Sequence, residues 1–268
     1  VAAVTVLVAT DLDRTVVHSA RAAGLEPGAV LCLEQHGGVP TALLTRRTAA
    51  ALAELDRRTV WVPATTRSAA QYARLDLGRR LGITPRYVVA ACGGVLLVDG
   101  VPDPAWASRI AGVLAGAAPR AEVADVLARH LARLPTGAAG PVRDADGVLL
   151  VVRASPPAGW LAELAAACDA RGWRVAVHGP KVHVLPRGLG KGAAVGEVRR
   201  RLGATRLLAA GDSPLDADLL RAADAGIQPI DGRLHASGWR ADHVAVTAGT
   251  GLRAGEEIAD WLLARCPG

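Results

Sequence analysis

Short apolar runs, rich in β-branched residues and each halting on a polar or glycine cluster, constrain this chain more than any other feature. Val4–Ala9 runs into Thr10-Asp11-Leu12-Asp13. Val60–Ala64 runs into Thr65-Thr66-Arg67, Tyr87–Ala91 into Gly93-Gly94, and Arg206–Ala210 into Gly211-Asp212. A run of this length without polar alternation buries both faces, as strands of a parallel sheet do. Helical segments are expected at Thr48–Arg57, Ser68–Leu77, Lys191–Leu202, Asp216–Ala223 and Gly255–Ala264. Further strands are expected at Ala225–Pro229 and His243–Val246. Strand and helix in alternation predict an α/β class, a Rossmann-like core whose parallel sheet is flanked by helices.

The middle of the chain breaks that rhythm. Gly94–Gly100 and Val101–Pro104 predict a hairpin or turn. Trp106–Ala117 and Ala121–Leu134 read as helices, and Pro135–Pro141 as a Gly/Pro-rich loop. A strand (Val148–Ala154), a helix (Gly159–Arg171) and two strands (Arg174–His178, Lys181–Pro186) follow. Gly179-Pro180 makes a tight turn between the last two. The expectation is an α+β cap inserted at 99–184 between core segments 1–98 and 185–268.

Composition removes other function classes. The 268 residues are 51% hydrophobic and 21% charged, with no long single-sign block. The apolar runs fall far short of the ~20 residues that span a bilayer. No charged segment followed by an apolar stretch opens the chain, so the expectation is a cytoplasmic protein with no membrane partner. Cys32, Cys92, Cys168 and Cys266 are far apart, which suggests neither a zinc site nor a disulfide framework. The net charge of +6 comes from scattered arginines with 3% aromatics. That pattern argues against nucleic acid and suits a small anionic substrate. The chain has no Asn, Phe or Met and only two lysines, Lys181 and Lys191. All four residue types use AT-rich codons, so a retained lysine draws attention.

The chemistry-bearing residues gather at the ends of the apolar runs. Ligands of open α/β sheets bind beyond the carboxyl ends of strands. Asp11 and Asp13 leave one such end two residues apart, and two close carboxylates repel unless a cation lies between them. Mg²⁺ takes oxygen ligands, commonly one or two carboxylates with phosphate and water. Gly211-Asp212-Ser213-Pro214-Leu215-Asp216 adds two carboxylates at an equivalent place. Each acidic motif alone also reads as a helix cap. Thr65 and Thr66 offer hydroxyls to a phosphate. Lys191 opens a helix after Gly188-Leu189-Gly190, a poor place for a cation by itself and a good one beside a bound phosphate.

In this order, D-L-D-R-T, A-T-T-R, G-K-G and G-D-S-P-L-D, the motifs resemble the haloacid dehalogenase superfamily. The long insert resembles its C2-type cap, as in Cof-type, sucrose-phosphatase-like and mannosyl-phosphoglycerate-phosphatase-like members. The resemblance implies a Mg²⁺-dependent phosphatase acting on a small phosphorylated metabolite, sugar phosphates first. Asp11 is then the nucleophile that forms an aspartyl-phosphate. Asp13 is the general acid and then the base, which asks for a raised pKa. Thr65 is the second-motif hydroxyl, and Lys191 neutralises the phosphoryl group. Asp11, Asp212 and the backbone carbonyl of Asp13 hold the metal, and Asp216 completes or supports that site. Thr66, Arg67, Cys92, Gly93, Lys181 and His183 are the expected substrate contacts, with Arg153, His178 and Tyr72 as further candidates. Four positions depart from the pattern: Arg14 and Thr66 stand where many members carry Gly, Leu215 where many carry Asn, and Cys92 where an Asn-Gly pair is common. The alternatives are a phosphotransferase or mutase with the same intermediate, and a catalytically weak phospholigand-binding protein. Oligomeric state is not legible.

Overall fold

A computed structural model describes residues 5–20, 29–157 and 159–267. The first strand, β1 (Val6–Thr10), is buried along its whole length; Val4, at the start of the expected run, lies outside the described residues. A hairpin follows that lies outside the predicted elements, β2 (Val30–His36) and β3 (Val39–Thr45). Its turn is Gly37-Gly38, both with positive φ (56° and 77°). Two left-handed residues in a two-residue loop match the twist of the flanking strands, and glycine adopts them without strain. Helix α1 (Arg46–Arg58) begins where the Thr45 hydroxyl accepts from the Thr48 amide.

Next comes β4 (Val60–Pro63). The single helix expected over 68–77 is two short ones, α2 (Ala69–Ala73) and α3 (Leu77–Leu81). Asp76 between them sits at φ 49°, ψ 48°, a left-handed conformation that no α-helix continues through. Then β5 (Tyr87–Ala90), β6 (Val95–Val98) and β7 (Val101–Pro102) form an antiparallel set, the expected hairpin included. A parallel bridge from Ala64 to Val89 joins this set to β4.

The insert contains α4 (Pro104–Ala115), α5 (Arg120–Leu131), β8 (Arg143–Ala145), β9 (Leu149–Arg153), α6 (Trp160–Asp169), β10 (Trp173–His178) and β11 (Lys181–Pro186). Its antiparallel sheet runs β10-β11-β9-β8. Side chains alternate between the faces of a strand. Val152, Val182 and Val184 therefore face one way, into a local core with Val126 and Leu127 of α5 and Trp160 and Leu164 of α6. Leu149, Ala176 and Leu185 face the other way and join the main core.

After the insert the chain makes α7 (Lys191–Leu202), β12 (Arg206–Ala210), α8 (Ala217–Ala222), β13 (Ala225–Gln228), α9 (Arg233–Ala236), β14 (Val244–Val246) and α10 (Gly251–Leu263). The expected start of α8 at Asp216 is a 3-10 turn over Pro214–Asp216. The central sheet has the order β14-β13-β12-β1-β4, every neighbouring pair parallel. Val6 and Val8 of β1 point to α1 and α10 with Leu52, Leu55, Ile258 and Leu262. Leu7 and Ala9 point to α7 and α8 with Val195, Val198, Leu219 and Leu220. Burying a side chain of this size stabilises by about 1.5–3 kcal/mol, so both faces of β1 are pinned. That pinning fixes where its last residues open into the crevice. Among the described residues no helix is long and apolar enough to cross a membrane.

Candidate active site

Asp11 leaves the end of β1, and its amide donates to the carbonyl of Ala210, the last residue of β12 (2.9 Å). Asp212 leaves β12 two residues later. Adjacent parallel strands thus deliver both carboxylates to one crevice although 201 positions separate them. Lys191, the first residue of α7, reaches the same point from a third segment. Its ammonium donates to Asp11 Oδ1 (2.6 Å) and to Asp216 Oδ1 (2.5 Å), and Lys191 and Asp216 are wholly buried.

The glycines around Lys191 explain how it gets there. A Cβ on Gly190 would lie 2.1 Å from Asp218 Oδ2, and one on Gly192 would lie 2.7 Å from the Asp218 carbonyl oxygen. One on Gly93 would lie 2.2 Å from the Gly190 carbonyl oxygen. Only a chain without side chains at these points approaches so closely, and Asp218 adds a bond to the Gly192 amide (2.8 Å). Gly93, expected to contact substrate, is placed here by packing, and its carbonyl accepts from the Trp106 indole (2.8 Å).

Charge is unevenly distributed at the site. Burial raises the Asp11 carboxyl to about 7, with Lys191 opposing and Asp216 adding to the rise. Burial also lifts Asp212 well above the carboxylate range, helped by Asp11 and Asp216. Burial works against the Lys191 ammonium, but Asp11 and Asp216 outweigh it and hold its pKa above the ordinary value. Thr15, the last residue of the D-L-D-R-T motif and without an expected role, donates its hydroxyl to Asp11 Oδ2 (3.0 Å). A D-x-D-x-T spacing with Thr15 at the turn after β1 was the available signal.

Asp11, Asp212 and Asp216 bring carboxylate oxygens within 4.8 Å of one another. Both oxygens of Asp212 are buried and accept no hydrogen bond. Arg14 Nε stands 3.4 Å from one and His178 Nε2 3.6 Å from the other. A buried anion with unfilled oxygens and anionic neighbours is costly, and a hard divalent cation relieves that cost, so the donor set fits Mg²⁺. Asp216 is differently placed. Its Oδ2 accepts from the Asp212 amide (3.2 Å), the Ser213 amide (2.9 Å) and the Ser213 hydroxyl (2.7 Å), while Oδ1 accepts from Lys191. Leu215 packs in the main core beneath this loop, so its apolar side chain has a packing role.

Asp13 reverses the expectation of a raised pKa. Burial would raise it, but the Arg67 fork outweighs burial and holds the carboxyl below its ordinary range. Arg67 Nε donates to Asp13 Oδ2 (2.7 Å) and Nη2 to Oδ1 (2.7 Å). Arg67 Nη1 donates to Glu34 Oε2 (2.8 Å), a residue of β2 that the sequence reading did not single out. Thr65 is buried; its hydroxyl oxygen accepts from the Arg67 amide (3.1 Å), which leaves the O–H free to donate. Thr66 is half-buried in the same turn, and Tyr72 is half-buried against the α1 side of the core.

Ala91, Cys92 and Gly93 all have positive φ (47°, 56° and 95°). For the first two this is a strained conformation. The Cys92 amide donates to the Thr65 carbonyl (2.9 Å), and burial pushes its thiol up to about 12, so it is an inert neighbour of Lys191. In the cap, alternation places Arg153, His178, Lys181 and His183 on the sheet face turned to the core, with Leu149, Ala176 and Leu185. His178 and His183 are buried, with ring centroids 6.4 Å apart and Nδ1 atoms lacking partners. Burial lowers them to about 4 and about 3, which keeps both neutral at pH 7. Lys181 is exposed at the rim, and so is Arg153.

No protein-family model matches the sequence, and no curated protein matches it. Solved structures match over nearly the whole chain. A sucrose-phosphatase from Synechocystis, solved with sucrose and phosphate, gives a TM-score of 0.67 at 18% identity, covering 97% of this chain and 98% of that one. A haloacid dehalogenase superfamily subclass IIB sugar phosphatase gives 0.63 at 14%, covering 97% and 100%. A haloacid dehalogenase-like hydrolase from B. subtilis gives 0.59 at 17%, covering 97% and 99%. The chain has the fold of haloacid dehalogenase-type hydrolases: a parallel-sheet α/β core with an inserted α+β cap.

Proposed function

We propose that this protein is a Mg²⁺-dependent phosphatase that hydrolyses a small phosphorylated metabolite through an aspartyl-phosphate on Asp11. The observation that carries this reading is the convergence of Asp11, Lys191, Asp212 and Asp216, from remote segments, on one buried point beyond β1 and β12. Four ionisable groups at one point destabilise a fold unless a ligand uses them, which marks a functional site.

In this reading a carboxylate oxygen of Asp11 attacks phosphorus, and the bond from phosphorus to the ester oxygen breaks. Asp13 gives its proton to the departing oxygen. It then takes a proton from water, whose oxygen attacks phosphorus and frees Asp11 and phosphate. Lys191 neutralises the phosphoryl oxygens and holds Asp11 in line, with Asp216 fixing Lys191 in turn. The Thr65 O–H donates to the phosphoryl group. Asp11, Asp212 and the Asp13 carbonyl would hold Mg²⁺, which supplies the charge neutralisation that phosphoryl transfer needs.

Sugar phosphates are the first substrate class. The structural neighbours include the sucrose-phosphatase and a trehalose-6-phosphate phosphatase domain from C. albicans (TM-score 0.60). The neutral His178 and His183 on the cap face offer unpaired ring nitrogens to substrate hydroxyls. Residues 99–184 serve as the cap that closes over the leaving group. The test is an aryl phosphate followed by a panel of phosphorylated metabolites, with Mg²⁺, on the wild type and Asp11→Asn side by side. Turnover by the wild type alone supports the reading, and its absence on every ester contradicts it. Phosphate delivered to an added acceptor in preference to water makes the protein a transferase.

A further inference from the structure

The β2–β3 hairpin reaches the site through one carboxylate. Glu34 lies at an irregularity in the hairpin register, between Cys32 and Gln35. Bulges of this kind re-aim a side chain and recur beside active sites. Here Glu34 is turned inward, its side chain 14% exposed, against Arg67, which is 11% exposed. Arg67 is divided: its Nε and Nη2 edge forks onto Asp13, and its Nη1 end binds Glu34. Glu34 does not depend on Arg67 alone, since Arg74 Nε donates to Oε1 (2.8 Å) and the Thr41 hydroxyl contacts Oε2 (3.4 Å). The Arg67 backbone is tied at both ends, its amide to the Thr65 hydroxyl and its carbonyl to the Ala91 amide (2.7 Å).

This arrangement conflicts with the chemistry assigned to Asp13. A carboxylate gripped through both oxygens cannot pass a proton to a leaving group. An arginine whose fork is occupied cannot meet a phosphate. Both conflicts end in one exchange, because a phosphoryl group is a planar-fork acceptor of higher charge than a carboxylate. Resting on the phosphatase reading above, we infer that Glu34 is a positioning residue for Arg67. It retains Nη1 while the Nε–Nη2 edge passes from Asp13 to the arriving phosphoryl oxygens. Substrate binding thereby frees Asp13, and the hairpin keeps the released guanidinium from swinging away.

Glu34→Gln keeps the shape of the side chain and removes its charge. Steady-state kinetics should show kcat/KM about 10-fold lower than the wild type, from the loss of one charge-assisted bond. In an Arg67→Lys background the same substitution should change kcat/KM less than 2-fold, a coupling that a merely structural role of Glu34 would not produce. Thermal melting of each variant controls for folding. Orthovanadate with Mg²⁺ supplies a readout without turnover: Glu34→Gln should bind it about 10-fold more weakly. A crystal structure of the wild-type complex should show Arg67 on the oxyanion with Nη1 still on Glu34. Wild-type turnover unchanged by Glu34→Gln overturns the Glu34 assignment and leaves the phosphatase reading standing. Orthovanadate binding with the predicted loss, but no ester hydrolysed, overturns the phosphatase reading and upholds Glu34. Arg67 still forked on Asp13 with vanadate bound overturns the exchange, and a wild type that binds no oxyanion overturns both.

Discussion

Asp11 and Asp13 sit two residues apart and live in opposite surroundings. Asp11 is 1% exposed, held by Lys191 and Thr15, and its carboxyl is raised to about 7. The Asp13 side chain is 27% exposed and its carboxyl is lowered by the Arg67 fork. Each is the reverse of what its assigned role asks, since a nucleophile works ionised and an acid works protonated. Burial and the neighbouring Asp216 carboxylate cause the first inversion, and a divalent cation would remove it. The ion pair with Arg67 causes the second, and in the proposed exchange an incoming phosphoryl group would remove that. On the proposed reading, the resting site suits ligands that bring charge, positive toward Asp212 and negative toward Arg67.

Substitutions at the two aspartates give the largest effects. Asp11→Asn should lower kcat at least ~10³-fold on every ester while leaving the fold intact, by the scale of losing a covalent nucleophile; kinetics and melting curves check both halves. Asp13→Asn should depend on the leaving group. Single-turnover phosphorylation of Asp11 should fall about 10²-fold or more for an alkyl phosphate and little for a nitrophenyl phosphate, which leaves without a proton. Equal losses on both would break the contrast between the two carboxylates.

Lys191→Met leaves the buried Asp11 and Asp216 carboxylates without their cation. Denaturant unfolding should show a loss of about 3–5 kcal/mol, the scale of breaking a buried ion pair. Mg²⁺ should restore part of it, because ligand binding to the native state stabilises by mass action.

The buried histidines act in the opposite sense to Asp11 as pH changes. His18 is lowered from 6.5 to about 4, chiefly by burial, and its Nε2 has no partner. Its folded pKa lies below the unfolded value, so the unfolded chain binds more protons between those pH values. Stability from this group is full above about pH 6.5 and is lost as pH falls toward 4. His18→Gln removes that share: relative to the variant, the wild type should lose at most about 3 kcal/mol across this window. Asp11 and Asp212 titrate the other way, so the variant comparison isolates His18 where a single wild-type curve does not. The smallest effect is expected at Thr15→Val, about 1 kcal/mol from one hydrogen bond to Asp11, read by chemical denaturation.

The carboxyl ends of the core strands were legible because each is an apolar run that stops on a chemical residue. The period of two also placed His178, Lys181 and His183 on one cap face once the strands were known. The hairpin carrying Glu34 was passed over because Glu34-Gln35-His36 interrupts its apolar pattern, although Gly37-Gly38 marked its turn. The motif pattern predicts Arg67 as a substrate contact. Its fork onto Asp13 joins residues 54 positions apart and is a tertiary fact that no local spacing encodes. The break in the helix expected over 68–77 comes from the left-handed Asp76, whose residue type allows that conformation without announcing it.

The central claim is a covalent one, and trapping tests it directly. Wild-type protein mixed with Mg²⁺ and a turned-over phosphate ester, quenched in acid and reduced with borohydride, should carry homoserine at position 11 by peptide mass spectrometry. The label should appear only when ester and Mg²⁺ are both present. Sustained hydrolysis with position 11 still aspartate in every quenched sample, or with homoserine at another carboxylate, would contradict the account.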